Sequence, residues 1–412
     1  MPDYKSMSAH ELTELIQEKL DSWQAWRERQ LSLDAGWGMA GASVGRVYRP
    51  WLYSMSADFY PRARVHISGE EMDEFEEIAV SLAQEIYHAK YVDLHTMSGG
   101  NANSVLLCAL TGKGDTIMAF EDPLGHRSMR EDGIGGFIDR NYVPIPIDAD
   151  NLSIDLEGFK KAAREARPKL IMLGSAMYIF LEPFKEIVEV AREIGAIVSC
   201  DVSHTFGYLH CSMSVNPLDE GVDVILGGTY KTICGPTKGM ICTNSEQISE
   251  RLREVAPRMV FNYNACLIPA LAQALIELRT YGNEYGNQMI KNARALGAAM
   301  KSDGFNMVGA DRNYTDTHLL AAKMDGTDRK GIVQNLGAAN ILCSTVPCDE
   351  SHFYLRPATM IVTRRGFVEK DMAVISKMLA EVIFNGNIEG VKKQVAEMMS
   401  APERHVVHFS QM

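Results

Sequence analysis

Short apolar runs that end in polar or glycine-rich turns recur between positions 115 and 240, with helical periodicity between them. Asp115 to Phe120, Lys169 to Leu173, Ala196 to Cys200 and Val222 to Leu226 are the runs, and Pro183 to Gly195 is an intervening helix. Runs this short and this continuously apolar are strands buried on both faces. Strand and helix in alternation leave few architectures open; the spacing predicts a mostly parallel sheet with helices on both faces. Ligands of such sheets sit beyond the carboxyl ends of the strands. Ser98, His126, Ser175, Asp201, His204 and Lys231 all follow apolar runs, so they are expected to converge on one edge.

The stretch from Asp223 to Gly239 carries the chemistry. Its apolar run stops at Gly227-Gly228 and delivers Thr229, Tyr230 and Lys231, before Gly235-Pro236 turns the chain. A lysine held at a strand end between glycine breaks is placed to form an imine with a carbonyl cofactor. Alone, Lys231 reads as a solvated loop lysine. Asp201, at the end of the preceding run, changes that reading, because an aspartate there can pair with a protonated ring nitrogen. Upstream, Ser98-Gly99-Gly100 leads into a helix from Ser104 to Leu110. That arrangement exposes backbone N–H groups at a helix start, a phosphate cradle. Lysine, aspartate and cradle together point to pyridoxal phosphate, and His126 in the loop after Phe120 is placed to stack on its ring.

At 412 residues the chain is expected to divide: a helical arm over 1–45, a large cofactor-binding domain over 46–285 and a small C-terminal domain over 286–412. A net charge of −12 offers no basic excess to meet nucleic-acid phosphates or a membrane surface. No apolar run reaches the ~18 residues that a membrane helix requires. The eight cysteines are scattered without a Cys-x-x-Cys pair, as expected of reduced cysteines in a cytoplasmic protein. Ser8 followed by Glu11 is a capping box that opens a helix over 8–30. Residues 31–61 read as irregular site loops, and 70–90 as a helix with an acidic first turn. Further on, Ile248 to Arg253, Cys266 to Tyr281, Gln288 to Asp303, Gly331 to Ala339 and Glu369 to Phe384 read as helices. Thr317 to Lys323 and Arg356 to Thr363 read as strands, and Ala401 to Met412 as a tail.

Four motifs in order, from about residue 30 to about 385, resemble the serine hydroxymethyltransferase family of fold-type I pyridoxal phosphate enzymes. Met97-Ser98-Gly99-Gly100-Asn101-Ala102-Asn103 resembles its His-Ser-Gly-Ser-Gln-Ala-Asn loop. Asp201-Val202-Ser203-His204 resembles its Asp-x-x-His. Thr229-Tyr230-Lys231-Thr232, followed by Gly235-Pro236, resembles its Thr-His-Lys-Thr-Leu-Arg-Gly-Pro. The stretch from Arg356 to Phe367 resembles its Arg-Ile-Gly-Thr-Pro-Ala-x-Thr-Thr-Arg-Gly-Phe, and Thr315-Asp316-Thr317-His318 is a shorter fifth match.

The resemblance implies an aspartate-aminotransferase-like α/β fold: a large domain with a mostly parallel seven-stranded sheet and a smaller C-terminal α+β domain. It implies that Lys231 carries the cofactor as a Schiff base, that Asp201 pairs with the pyridinium nitrogen and that His126 stacks on the ring. His204 would meet the O3′ region, with Thr229 beside the cofactor, and Ser98, Gly99 and Gly100 would hold the phosphate. Arg356 would fork onto the substrate carboxylate. Tyr60 would lie near the substrate, from a partner subunit in a homodimer or dimer of dimers with shared sites. Asp34 is the loose counterpart of the family's acidic Ser-Glu-Asn residue.

Departures accompany the matches. Ser56 replaces a tyrosine, Tyr230 a histidine and Gly100 a serine; Cys343 to Asp349 stands where the family's asparagine meets folate. The implied reaction is cleavage or formation of a Cα–Cβ bond on a small β-hydroxy α-amino acid, with Lys231 or Tyr230 as proton carrier. Tetrahydrofolate is a possible but doubtful cosubstrate. A racemase or epimerase on the same scaffold is the alternative, and a silent cofactor-binding subunit is disfavoured by the joint presence of Lys231, Asp201 and Arg356.

Overall fold

The computed structural model describes residues 4–65, 70–121, 124–125, 133–326, 328–349 and 351–400. His126 and the tail 401–412 lie outside the described residues.

Seven strands form the main sheet: β1 (Tyr91–Asp93), β2 (Thr116–Ala119), β3 (Asn141–Pro144), β4 (Leu170–Leu173), β5 (Ile197–Asp201), β6 (Val224–Gly228) and β7 (Gly239–Thr243). Their order is β1-β7-β6-β5-β4-β2-β3. Only β7 runs against its neighbours; the other four pairings are parallel. The expected α/β sheet of seven mostly parallel strands is therefore present. Successive side chains of a strand point to opposite faces, and the burial follows that rule. Met118, Ile171, Leu173, Val198, Cys200 and Ile225 enter one apolar cluster. Ile117, Ala119, Leu170, Met172, Val224 and Leu226 enter another. Both faces are dry, which is why these strands are apolar without alternation.

Helices supply the two covers. Before and around the sheet run α1 (Ala9–Glu28), α2 (Glu70–Tyr87) and α3 (Gly99–Leu110), then α4 (Phe184–Ile194), α5 (Glu246–Met259) and α6 (Leu267–Ser302). α3 and α5 cover the second face with Val105, Leu106, Ile248 and Leu252. α2, α4 and α6 cover the first with Ala79, Ala83, Ile187, Val190, Leu271 and Leu275. α1 has the expected capping box, Ser8 N–H donating to Glu11 at 2.7 Å and Glu11 N–H to the Ser8 hydroxyl at 3.3 Å. None of its residues is buried.

A second sheet of five strands stands apart, in the order Leu31–Leu33, Ile341–Pro347, His352–Arg356, Ala322–Asp325, Asn306–Met307. It has its own core, including Leu33, Ile341, Leu355, Phe367 and Leu379. Leu31–Leu33 pairs in parallel with residues 341–343, so part of the expected irregular segment is a buried strand of this sheet.

Three local expectations are corrected. The two helices 266–281 and 288–303 are one continuous α6. The glycines between them do not break it; a Cβ at Gly286 would collide with Tyr208, and one at Gly282 with His210. They let the helix lie close on the 206–211 segment. The strand expected over Arg356–Thr363 ends at Arg356, and Met360–Arg364 is a short helix. Its β-branched residues favour a strand locally, but burial of Met360, Ile361 and Val362 against neighbouring clusters outweighs that preference. The strand expected over Thr317–Lys323 is Ala322–Asp325, because Thr315 and Thr317 spend their hydroxyls on the carbonyls of Ile179 and Tyr178 instead.

Candidate active site

The carboxyl ends of β1, β4, β5 and β6 gather on one edge of the main sheet. β5 ends on Asp201 itself, whose side chain is buried. One of its oxygens accepts from the Asn103 amide at 2.6 Å, the other from the Ser203 N–H at 2.9 Å. Asn103 stands in the first turns of α3 and also donates to the Gly99 carbonyl at 3.1 Å. Its own Oδ1 is buried without a hydrogen-bond partner among the described residues. Ser203 closes the stitch, its hydroxyl accepting from the Gly228 N–H at 2.8 Å. Gly99 makes this packing possible: a Cβ there would lie 2.7 Å from the Gly228 nitrogen. The start of α3 is thus pressed against the ends of β5 and β6. Ser98 caps it, its hydroxyl accepting from Asn101 N–H at 3.2 Å. A Cβ on Gly100 would meet nothing within 4 Å, so that position faces open space.

Lys231 follows β6 by three residues. Its amine is buried, 3.0 Å from His204 Nε2. Burial pushes it down from the ordinary lysine value to about 8; Asp201 opposes that shift and Arg356 adds to it. Tyr230, half-buried, has its phenol pushed up by burial and then by Asp201. Its carbonyl accepts from the Gly38 N–H at 2.7 Å, which ties the loop after Asp34 to this turn. The Thr229 hydroxyl is turned inward, donating to the Pro236 carbonyl at 2.6 Å, where it shapes the turn behind Lys231.

Arg356 ends a strand of the second sheet and reaches the first. Its Nη1 donates to the Ala176 carbonyl at 2.6 Å, just after β4, and its Nε to the Ser344 hydroxyl at 3.1 Å. Burial lowers it from the ordinary arginine value, and Asp34 opposes that shift through its charge. Ser175 donates to the Leu124 carbonyl at 2.8 Å. Tyr60 is buried and anchored within its own chain at the end of β1: its phenol donates to Asp93 at 2.6 Å, and Arg253 lies 3.9 Å over its ring. Burial beside Asp93 pushes that phenol up. Ser98, Asp201, His204 and Lys231 are thus brought to one edge, with Arg356 and Asp34 linked to it electrostatically.

Two residues here were not singled out for a role from the sequence. Asn103 lies inside a quoted motif, but its partner Asp201 is 98 positions away. His318 also lies in a quoted motif. Its ring stacks on His204 with centroids 6.0 Å apart, and burial near Lys231 and Arg356 pushes it down to about 3.

A family described as serine hydroxymethyltransferase matches residues 7–379. Similar proteins include the serine hydroxymethyltransferase of Methanothermobacter marburgensis, 29% identical, with 98% of this chain and 97% of the relative covered. That of Archaeoglobus fulgidus is 30% identical over 89% of this chain and 86% of the relative. That of Methanopyrus kandleri is 31% identical over 83% and 82%. Among solved structures, the chain is similar in fold to the L-threonine transaldolase of Pseudomonas fluorescens, with a TM-score of 0.89 at 22% identity, covering 98% of this chain and 95% of that one. The residues fit pyridoxal phosphate: a buried amine with a lowered pKa, a buried aspartate beside it and the capped start of α3 meet at one edge.

Proposed function

The chain belongs to the serine hydroxymethyltransferase family, and from that premise we propose that its substrate is a small β-hydroxy α-amino acid whose carboxylate is gripped by Arg356. It is a pyridoxal phosphate enzyme of hydroxymethyltransferase, aldolase or transaldolase type. When bound, the cofactor supplies an electron sink for the pair left behind as a bond at Cα breaks. The chain's residues do the rest. Lys231 is the proposed attachment point, and its depressed pKa keeps part of it neutral and nucleophilic near neutral pH. Asp201 would keep a proton on the cofactor's ring nitrogen, and Asn103 orients Asp201. Ser98, Gly99 and Gly100 would receive the cofactor's phosphate on backbone and hydroxyl donors. His204 would meet the phenolic side of the cofactor, and Thr229 shapes the turn that carries Lys231. His126, outside the described residues, is the proposed stacking partner.

Arg356 does more than bind. By fixing the carboxylate it would set how the substrate's Cα is turned towards the cofactor, and so which Cα bond would be activated. Asp34 partners Arg356 electrostatically. Lys231 or Tyr230 carries the proton at Cα. The observation that carries this reading is the Lys231 amine 3.0 Å from His204 at the end of β6, with Asp201 ending the adjacent β5.

Ser344 stands in the segment where the family meets folate, and here its hydroxyl serves Arg356. We place the enzyme in the cytoplasm as a homodimer or dimer of dimers, with Tyr60 contributed across the interface and the domain division given above. The test is mass spectrometry of L- and D-amino acids incubated with the holoenzyme in heavy water, with and without tetrahydrofolate. Cleavage of serine, threonine or an α-methylated serine to a smaller amino acid supports the reading and settles the folate question. Deuterium at Cα with inversion and no cleavage makes the enzyme a racemase.

A further inference from the structure

His318 is held in place by contacts that leave one of its hydrogen-bonding atoms unused. Thr315 and Thr317 donate to the carbonyls of Ile179 and Tyr178, at 2.9 and 2.6 Å, and so pin the segment beyond the end of β4. The His318 side chain is fully buried. Its Nδ1 lies 2.9 Å from the Tyr208 phenol. That phenol oxygen also accepts from the His318 backbone N–H at 3.4 Å. Nδ1 lies within hydrogen-bond distance of the phenol as an acceptor for its single proton, and we read that proton as donated there. A neutral imidazole that accepts on Nδ1 carries its own proton on Nε2. The ring is neutral, because burial with Lys231 and Arg356 nearby opposes a second proton. Nε2–H is therefore a donor of assigned tautomer, buried, with no hydrogen-bond partner among the described residues. Buried donors are rarely left unmet. The ring that bears this one stacks on His204, which touches Lys231.

We propose that His318 is a further binding residue of this site, its Nε2–H donating to an anionic oxygen of the bound ligand. The two sources of such an oxygen are the carboxylate of the amino acid and the phenolic oxygen of pyridoxal phosphate. Tyr208 is the positioning residue that sets the tautomer. The inference rests on the functional reading above.

The test uses the full-chain holoenzyme and two substitutions. Glutamine places an amide N–H near the position of Nε2, whereas asparagine reaches only as far as Nδ1. Cofactor affinity is read from visible absorbance, and glycine affinity from the change in that absorbance. His318→Gln is expected to keep both affinities within about threefold. His318→Asn is expected to weaken one of them about 10- to 100-fold, the loss expected for a hydrogen bond to a charged group. Loss of glycine affinity alone assigns the carboxylate; loss of cofactor affinity assigns the phenolic oxygen. Equal behaviour of the two variants, whether both intact or both impaired with a matching drop in melting temperature, overturns the proposal. Should neither variant fold, 15N-histidine spectra of the wild type decide. The Nε2–H resonance must move on adding cofactor or glycine, and a resonance unmoved by both overturns the proposal. Absence of cofactor absorbance in the wild type would instead bring down the functional reading on which it rests.

Discussion

A buried lysine amine pays for its charge in lost hydration, and two lysines of this chain show it. Lys231 and Lys238 are both pushed down to about 8 by burial. A folded-state value below the unfolded one, ~10.5, means that the charged amine costs stability below pH 8. That cost fades as pH rises from 8 towards 10.5. Lys238 has no hydrogen-bond partner for its amine among the described residues and sits 3.9 Å over the Tyr263 ring. Lys238→Met is therefore expected to stabilise the protein at pH 7 by about 2–3 kcal/mol and to flatten the pH dependence of urea melts between 8 and 10.5. Lys231 governs a rate instead. In cofactor-free protein, attachment of pyridoxal phosphate should quicken about tenfold per pH unit below 8 and level off above it, as stopped-flow absorbance would show. Asn103→Ala removes the 2.6 Å bond to Asp201. A charge-assisted bond of roughly 1.5–3 kcal/mol is lost, so the cofactor-free protein should be destabilised by about that amount in urea melts, and cofactor affinity should fall as Asp201 loses its orientation.

Elements meet here through buried polar pairs as well as through apolar faces. Arg364, from the short helix Met360–Arg364, donates to Glu277 of α6 at 2.8 Å, with both side chains almost fully buried. The Ser43 hydroxyl also donates to Glu277, which ties the loop after Asp34 to the same helix. Removing one member leaves the other charged and unmatched. Arg364→Met should cost about 3–5 kcal/mol, and pairing it with Glu277→Leu should recover much of that; chemical denaturation of the three variants checks both statements. The pair also explains a missed boundary. Residues 356–364 carry a strand-like pattern, but the partner that holds Arg364 in its helix is 87 positions away.

Over the whole molecule, large apolar side chains remain outside the cores. Trp51 is 85% exposed, Phe137 86%, and Tyr53 and Phe261 61% each. Trp51 and Tyr53 lie together on the short helix Pro50–Ser54, and we propose that this helix is covered by the second subunit of the proposed dimer. Trp51→Glu is expected to shift sedimentation towards the monomer, and a wild-type protein that sediments as a monomer would remove the basis for shared sites. A shared site makes a second demand: mixing inactive Tyr60→Ala and Lys231→Ala subunits should restore part of the activity after exchange. No helix among the described residues is long and apolar enough to cross a membrane.

The main sheet and its site edge follow from local pattern. Apolar runs, their spacing and the polar residues that end them are local patterns, and they suffice to bring Ser98, Asp201, His204 and Lys231 to one edge. The helix capped by Ser8 and those running through 70–87 and 369–385 were legible for the same reason, whereas the helix expected from Ser104 begins at Gly99, capped by Ser98. Tertiary structure alone decided the rest. The continuity of α6 depends on which side chains lie against Gly282 and Gly286, and the strand Leu31–Leu33 exists because residues 341–343 accept it as a neighbour. The tautomer of His318 depends on Tyr208, 110 positions away. Propensity and pattern act over a few residues. Burial, close approach and hydrogen-bond partners are set by contacts between distant parts of the chain, and only the folded molecule brings those parts together.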